Sequence, residues 1–165
     1  MEKEIRRRKA VIIDIDGSLA DVSSGLHHIV DKPKHERDHD AFIAMSDSYP
    51  ANQQALDWIR PYAEAGYALI VLTGREERYR AASEAWVRQA MPWPWEVFKM
   101  SPNHDPRPGE ETKRELYQEL VDEGYEIIGA IEDRLKIIAL WEELGIEDIE
   151  WVQGDNDPAR DEARV

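Results

Sequence analysis

Five short runs rich in aliphatic and β-branched residues, at 10–15, 67–72, 95–100, 126–131 and 149–152, interrupt an otherwise polar chain. Each has the length of a strand, and between them apolar residues recur at helical spacing. Asn52 is a natural N-cap for a helix carrying Ala55, Leu56, Ile59 and Tyr62 on one face, which Gly66 ends. Residues 76–90 read as a helix stopped by Pro92, and residues 110–123 as another that closes at Gly124. A last helix spans 134–144, with Leu135, Ile138 and Trp141 facing inward and Gly145 as its stop. Strands that are nearly all apolar and alternate with helices form parallel sheets covered on both faces. The expectation is a three-layer α/β/α, Rossmann-like fold.

The segment 20–49 breaks this rhythm. It is polar, contains Pro33 and four of the five histidines, and shows helical spacing only near 40–45. Long irregular segments inside a compact domain are commonly lids or binding loops, so it reads as a small cap-like insertion over a site. The charged stretch 154–165 reads as a frayed tail. At 165 residues the whole fits one domain.

Composition narrows the function. Hydrophobic residues at 42% beside charged residues at 34% belong to a globular chain, and a net charge of −14 argues against a long grip on nucleic acid. It leaves room for a few basic groups to act inside a cleft, because charges beyond about 8 Å are largely screened at physiological salt. With no cysteine there is neither a disulfide framework nor a thiolate metal site, which suits a cytoplasmic protein. The basic start, Arg6 to Lys9, is followed by an apolar run broken at Asp14 and Asp16, so it is not read as a signal peptide. No run is long enough to span a membrane.

Ligands of parallel α/β sheets sit beyond the carboxyl ends of the strands. Asp14, Asp16, Gly17 and Ser18 follow the first run, Thr73, Gly74 and Arg75 the second, and Glu132 and Asp133 the fourth, while Lys113 opens the helix before that fourth run. Carboxylates near 4 Å apart repel by about 4 kcal/mol at an effective dielectric of about 20, so the acids need a cation. Oxygen ligands alone favour magnesium. Each feature has an ordinary reading too: a strand-ending turn at Asp14, a helix cap at Thr73, a solvated lysine at 113, acids favoured by a helix dipole at 132 and 133. Their joint order at one sheet edge is what carries weight.

DIDGS at 14–18, LTGR at 72–75, Lys113 and IEDR at 131–134 together resemble the four motifs of the haloacid dehalogenase superfamily. From about 11 to 153 the chain is also similar to the 3′-phosphatase domain of phage polynucleotide kinase. The resemblance implies a magnesium-dependent phosphatase in which Asp14 attacks phosphorus and Asp16 shuttles the proton. It implies metal binding by Asp14, Asp133 and the Asp16 backbone carbonyl with Glu132 in support, and phosphate binding by Thr73 and Lys113. Gly74 and Arg75 would lie on the substrate side, Arg75 orienting substrate or serving as a structural ion pair. The implied substrate is a nucleic acid 3′ end or, as the alternative, a nucleotide or other small phosphate ester. Two positions depart from that phosphatase domain, where an arginine and an aspartate give way to Ser101 and Gly109.

No GxxxxGK[ST] stretch occurs, so no kinase domain is expected in this chain. His27, His28, His35 and His39 lack a helical HExxH arrangement and read as loop histidines. Trp93 and Trp95 read as packing against a sheet edge rather than as base-stacking platforms, and Trp58, Trp86 and Trp141 as core. A phosphoacceptor receiver domain is the rival from another class, but receivers place their acid pair after the first strand and the phosphoacceptor later. A catalytically silent binding module is expected to lose Asp14 or Asp16, and both are present.

Overall fold

The computed structural model describes residues 6–30 and 32–154. The tail expected beyond 154 lies outside the described residues. A five-stranded sheet runs through the molecule in the order β3-β2-β1-β4-β5, formed by β1 (Arg8–Ile13), β2 (Ala68–Glu76), β3 (Val97–Ser101), β4 (Tyr125–Glu132) and β5 (Asp148–Trp151). Every neighbouring pair is parallel. The helices are α1 (His39–Ala44), α2 (Gln53–Glu64), α3 (Arg80–Ala90), α4 (Gly109–Asp122) and α5 (Leu135–Glu143).

Alternation along β1 divides the core into two halves. Val11 and Ile13 join a cluster with Ala55 and Ile59 of α2 and Trp86 and Val87 of α3. Ala10 and Ile12 face the other way, onto Leu116 and Leu120 of α4 and Ile137, Leu140 and Trp141 of α5. Each aliphatic side chain so enclosed contributes about 1.5–3 kcal/mol, which is why the near-continuous apolar runs specify central strands. Helix α2 starts where the N-cap reading puts it, with the Asn52 side chain accepting the Gln54 N–H at 3.1 Å. Beyond its end the chain turns at Gly66 with φ +83°, a value that glycine tolerates and other residues resist.

Two expectations need correction. The helix expected over 76–90 starts later: β2 stays extended to Glu76, a 3-10 turn covers Glu77–Tyr79, and α3 begins at Arg80. The Glu76 carboxylate takes hydrogen bonds from Arg78 at 3.0 Å and from the His104 N–H, which ties that corner to the loop after β3. The inner face of α5 is as expected at Trp141 but not at Leu135, and Ile138 is only half-buried. Leu135 is 51% exposed, and Ile137, Leu140 and Trp141 are the buried residues. Arg134, at the N-cap position of this helix, is buried as well.

The insertion is folded into the domain. Val22, Leu26, Ile29, Phe42, Ile43 and Tyr49 lie in the same cluster as Val11 and Ile13, and the Trp86 indole donates to the Tyr49 carbonyl at 3.1 Å. Trp93 and Trp95 pack against this core near the amino-terminal ends of β2 and β3, with Arg60 over the Trp93 ring and Arg88 over the Trp95 ring. Trp86 and Trp141 are buried, while Trp58 is half-buried and donates to Asp148. No helix among the described residues is long and apolar enough to cross a membrane.

Candidate active site

The chain leaves β1 toward β2 and β3 and later returns to lay β4 on β1's other side, so the strand order switches direction between β1 and β4. Such a switch leaves a crevice at the carboxyl ends of the two strands. The N–H of Asp14 donates to the Ile131 carbonyl at 3.3 Å, which continues the ladder one residue beyond β1 and sets Asp14 beside the end of β4. The next residues turn sharply: Gly17 has φ +83°, and the Leu19 N–H bonds the Asp14 carbonyl at 3.1 Å.

Two buried ionic groups share this edge. In the first, one carboxylate oxygen each from Asp14, Glu132 and Asp133 lie within 4.8 Å of one another. Lys113 reaches in from α4, donating to Asp14 Oδ1 at 3.1 Å and to Glu132 Oε2 at 2.8 Å. The Ser18 hydroxyl donates to Asp14 Oδ2 at 2.8 Å. Glu132 Oε1 accepts the N–H groups of Asp133 and Arg134 at 3.1 and 3.2 Å. In the second group, Arg75 holds Asp16 bidentately, Nη2 to Oδ1 at 2.6 Å and Nε to Oδ2 at 2.9 Å. Its other nitrogen donates to Ser83 Oγ at 3.1 Å and to Ser46 Oγ of the insertion at 3.4 Å. The Thr73 hydroxyl accepts the Arg75 N–H at 3.1 Å.

Burial governs the charges here. It raises the Asp14 carboxyl, and repulsion from Glu132 adds to this against the pull of Lys113, so the group is pushed up to about 7. Burial works against the charge on Lys113, but Asp14 and Glu132 outweigh it and push the ammonium up to about 12. Burial likewise opposes ionisation of Glu132, yet Lys113 and the backbone donors hold that carboxylate below its usual range.

The sequence-derived residues therefore fall into two sets. Asp14, Lys113, Glu132 and Asp133 come together, as do Asp16, Thr73 and Arg75, while Gly74 is half-buried on β2. The Asp16 carboxylate turns to Arg75 and pairs with it. None of the four loop histidines belongs to the acid cluster. Sequence reasoning gave no role to Ser18, Ser83 or Arg134. The Arg134 guanidinium fills the space at Gly109, where a Cβ would sit 2.9 Å from Nη1. A buried side chain thus occupies the place where the resemblance led us to look for an aspartate. Only the small residue at 109 hinted at it.

The donor set fits a hard divalent cation: the atoms that Asp14, Glu132 and Asp133 bring together are all carboxylate oxygens. Three such groups within 4.8 Å repel by about 3–4 kcal/mol per pair at an effective dielectric of about 20. Both Glu132 oxygens already accept hydrogen bonds, which suits it to a supporting role behind Asp14 and Asp133.

The family model for the polynucleotide kinase PNKP phosphatase domain matches residues 8–156. Among solved structures, that of the Pnkp1/Rnl/Hen1 RNA repair complex aligns with a TM-score of 0.72 at 22% identity, over 94% of this chain and 46% of that one. The class C acid phosphatase from Bacillus anthracis with tungstate bound aligns at 0.57 and 16% identity, over 90% of this chain and 69% of that one. D,D-heptose 1.7-bisphosphate phosphatase from B. bronchiseptica, complexed with magnesium and phosphate, aligns at 0.54 and 18% identity, over 85% and 78%. At these identities the structural likeness speaks for the fold, and the chain spans just under half the length of the Pnkp1 chains it matches, 46% and 49%. The family match extends over nearly the whole chain, which therefore belongs to the polynucleotide kinase PNKP phosphatase domain family of haloacid dehalogenase-type phosphatases.

Proposed function

We propose that this phosphatase is a magnesium-dependent phosphomonoester hydrolase that works through an aspartyl-phosphate on Asp14 and acts on nucleic acid 3′ ends. The observation that carries the reading is Asp14 at the end of β1, bonded to Lys113 and within 4.8 Å of Glu132 and Asp133. In the first step an Asp14 carboxylate oxygen attacks phosphorus, the bond from phosphorus to the leaving oxygen breaks, and Asp16 donates a proton to that oxygen. In the second, Asp16 takes a proton from water as the water attacks phosphorus, which frees phosphate and restores Asp14.

Arg75 holds the Asp16 carboxylate in a fixed place beside the first-strand turn. Proton delivery in the first step requires the carboxyl to turn from Arg75 toward the leaving oxygen. Lys113 and the Thr73 hydroxyl would hold the phosphoryl oxygens, with Gly74 beside them, and Ser18 would orient Asp14. Magnesium, held by Asp14, Asp133 and the Asp16 carbonyl with Glu132 in support, would offset the negative charge that crowds around the phosphate. Support comes also from the neighbours: one was solved with magnesium and phosphate, and Pnkp1 is part of an RNA repair complex. We take the single domain, with segment 20–49 as its cap, to carry this activity.

The test is an assay on a chromogenic phosphate ester with magnesium and then with chelator, comparing wild type with Asp14→Asn. Metal-dependent continuous turnover that vanishes in the variant is expected; one stoichiometric phosphorylation without turnover contradicts the reading. Preference among 3′- and 5′-phosphorylated oligonucleotides then tests the substrate.

A further inference from the structure

Asp133 stands at a corner, after β4 ends at Glu132 and before α5 begins at Leu135. The helix does not hold it: the N–H groups of Ile137 and Ile138 go to the Arg134 carbonyl, at 3.1 and 3.0 Å. Where a carboxylate at such a corner points depends on the peptide unit before its Cα and the one after, because those two units define its backbone torsions.

All four polar groups of these units are bonded. Before the Cα, the Glu132 carbonyl accepts the Val152 N–H at 3.0 Å, and the Asp133 N–H donates to Glu132 Oε1 at 3.1 Å. After it, the Arg134 N–H donates to the same Oε1 at 3.2 Å, and the Asp133 carbonyl accepts the indole N–H of Trp151 at 3.2 Å. Three of the four bonds thus come from Glu132, itself in the acid cluster, or from the backbone of Val152. The fourth comes from one side chain at the end of β5.

Trp151 is itself well anchored. It pairs with Glu132 in the sheet register, its carbonyl accepts Gln54 Nε2 of α2 at 3.2 Å, and its side chain is half-buried. An indole offers one N–H and no acceptor, so it can hold a carbonyl without adding charge beside the acids.

We infer that Trp151 is a positioning residue of the site: by holding the peptide that follows Asp133, it aims that carboxylate toward Asp14 and the cation they would share. The inference rests on the magnesium reading proposed above and adds to it a residue that acts through Asp133. Removing an outer partner of this kind typically costs about 10–100-fold in metal affinity.

The experiment compares wild type with three variants. Trp151→Phe keeps a ring and removes the N–H. Trp151→His restores a donor, because imidazole Nε2 occupies the place in its ring that the indole nitrogen occupies in its own. Trp58→Phe is the control: Trp58 is also half-buried, and its indole donates to Asp148 Oδ2 at 3.2 Å, at the other end of β5. Titration calorimetry reads Mg²⁺ affinity, and hydrolysis of p-nitrophenyl phosphate across a magnesium series reads the concentration needed for half-maximal rate. Trp151→Phe is expected to weaken Mg²⁺ binding at least about tenfold and to raise the half-maximal concentration by a like factor. Trp151→His and Trp58→Phe are expected to bind within about threefold of wild type, well short of the loss of an outer partner. Trp151→Phe binding as tightly as wild type overturns the inference. So does Trp58→Phe or Trp151→His binding as weakly as Trp151→Phe, since the indole N–H at Asp133 would then not be the cause. Those results leave the magnesium reading standing, whereas a wild type that binds no Mg²⁺ overturns both.

Discussion

The two buried ionic groups at the sheet edge differ in how complete they are. Asp16 and Arg75 are one anion and one cation in bidentate contact, with two serine hydroxyls on the guanidinium. Asp14, Glu132 and Asp133 bring one carboxylate oxygen each within 4.8 Å of one another, and Lys113 bonds two of the three, Asp14 and Glu132. The first group is balanced by the protein itself. In the second, three buried acids crowd together, an arrangement that concentrates at functional sites.

The comparison makes opposite forecasts for removing one member of each group. Asp14→Asn should lower turnover on the order of 10⁴-fold or more, at least ~5.4 kcal/mol of transition-state stabilisation. Its metal-free thermal midpoint should hold or rise, because one of three crowded acids is gone; steady-state kinetics and calorimetry read the two effects. Arg75→Met should instead destabilise by about 3–5 kcal/mol, leaving Asp16 buried without a partner, as urea unfolding would register. Were both changes equally destabilising, the groups would not differ as described.

A finer cut sets Arg134 apart from a mere filler. Gly109→Ala places a methyl against the end of a flexible side chain, so the stability cost should be about 1 kcal/mol. The displaced guanidinium should nonetheless raise KM for the phosphate ester several-fold, and a KM that does not move would assign Arg134 to packing alone. The smallest effect belongs to the rim: Asp40→Asn removes the charge that faces Arg78 at an exposed site and should leave the thermal midpoint essentially unchanged, as a melting curve would read.

Much of this was legible in the chain. Central strands advertise themselves as apolar runs, and residues after such runs necessarily gather at one edge of a parallel sheet, which is how Asp14, Lys113, Glu132 and Asp133 could be grouped. What stayed hidden depends on packing. Arg75 follows Thr73 in a motif, yet its partner Asp16 lies 59 residues away, and nothing local shows that the two side chains meet. Periodicity along α5 put Leu135 inside with Trp141, whereas Ile137 and Leu140 are the residues that share the buried face with Trp141. Segment 20–49 showed little periodicity because its apolar residues are spread over short 3-10 turns and one six-residue helix, even though they enter the core.

Titration calorimetry with Mg²⁺ tests the central claim most directly, using wild type, Asp133→Asn and Arg75→Lys. The account predicts one ion bound per wild-type chain, binding abolished or weakened at least about tenfold by Asp133→Asn, and binding retained by Arg75→Lys. A wild type that binds no magnesium, or Asp133→Asn binding it as tightly as wild type, would contradict it.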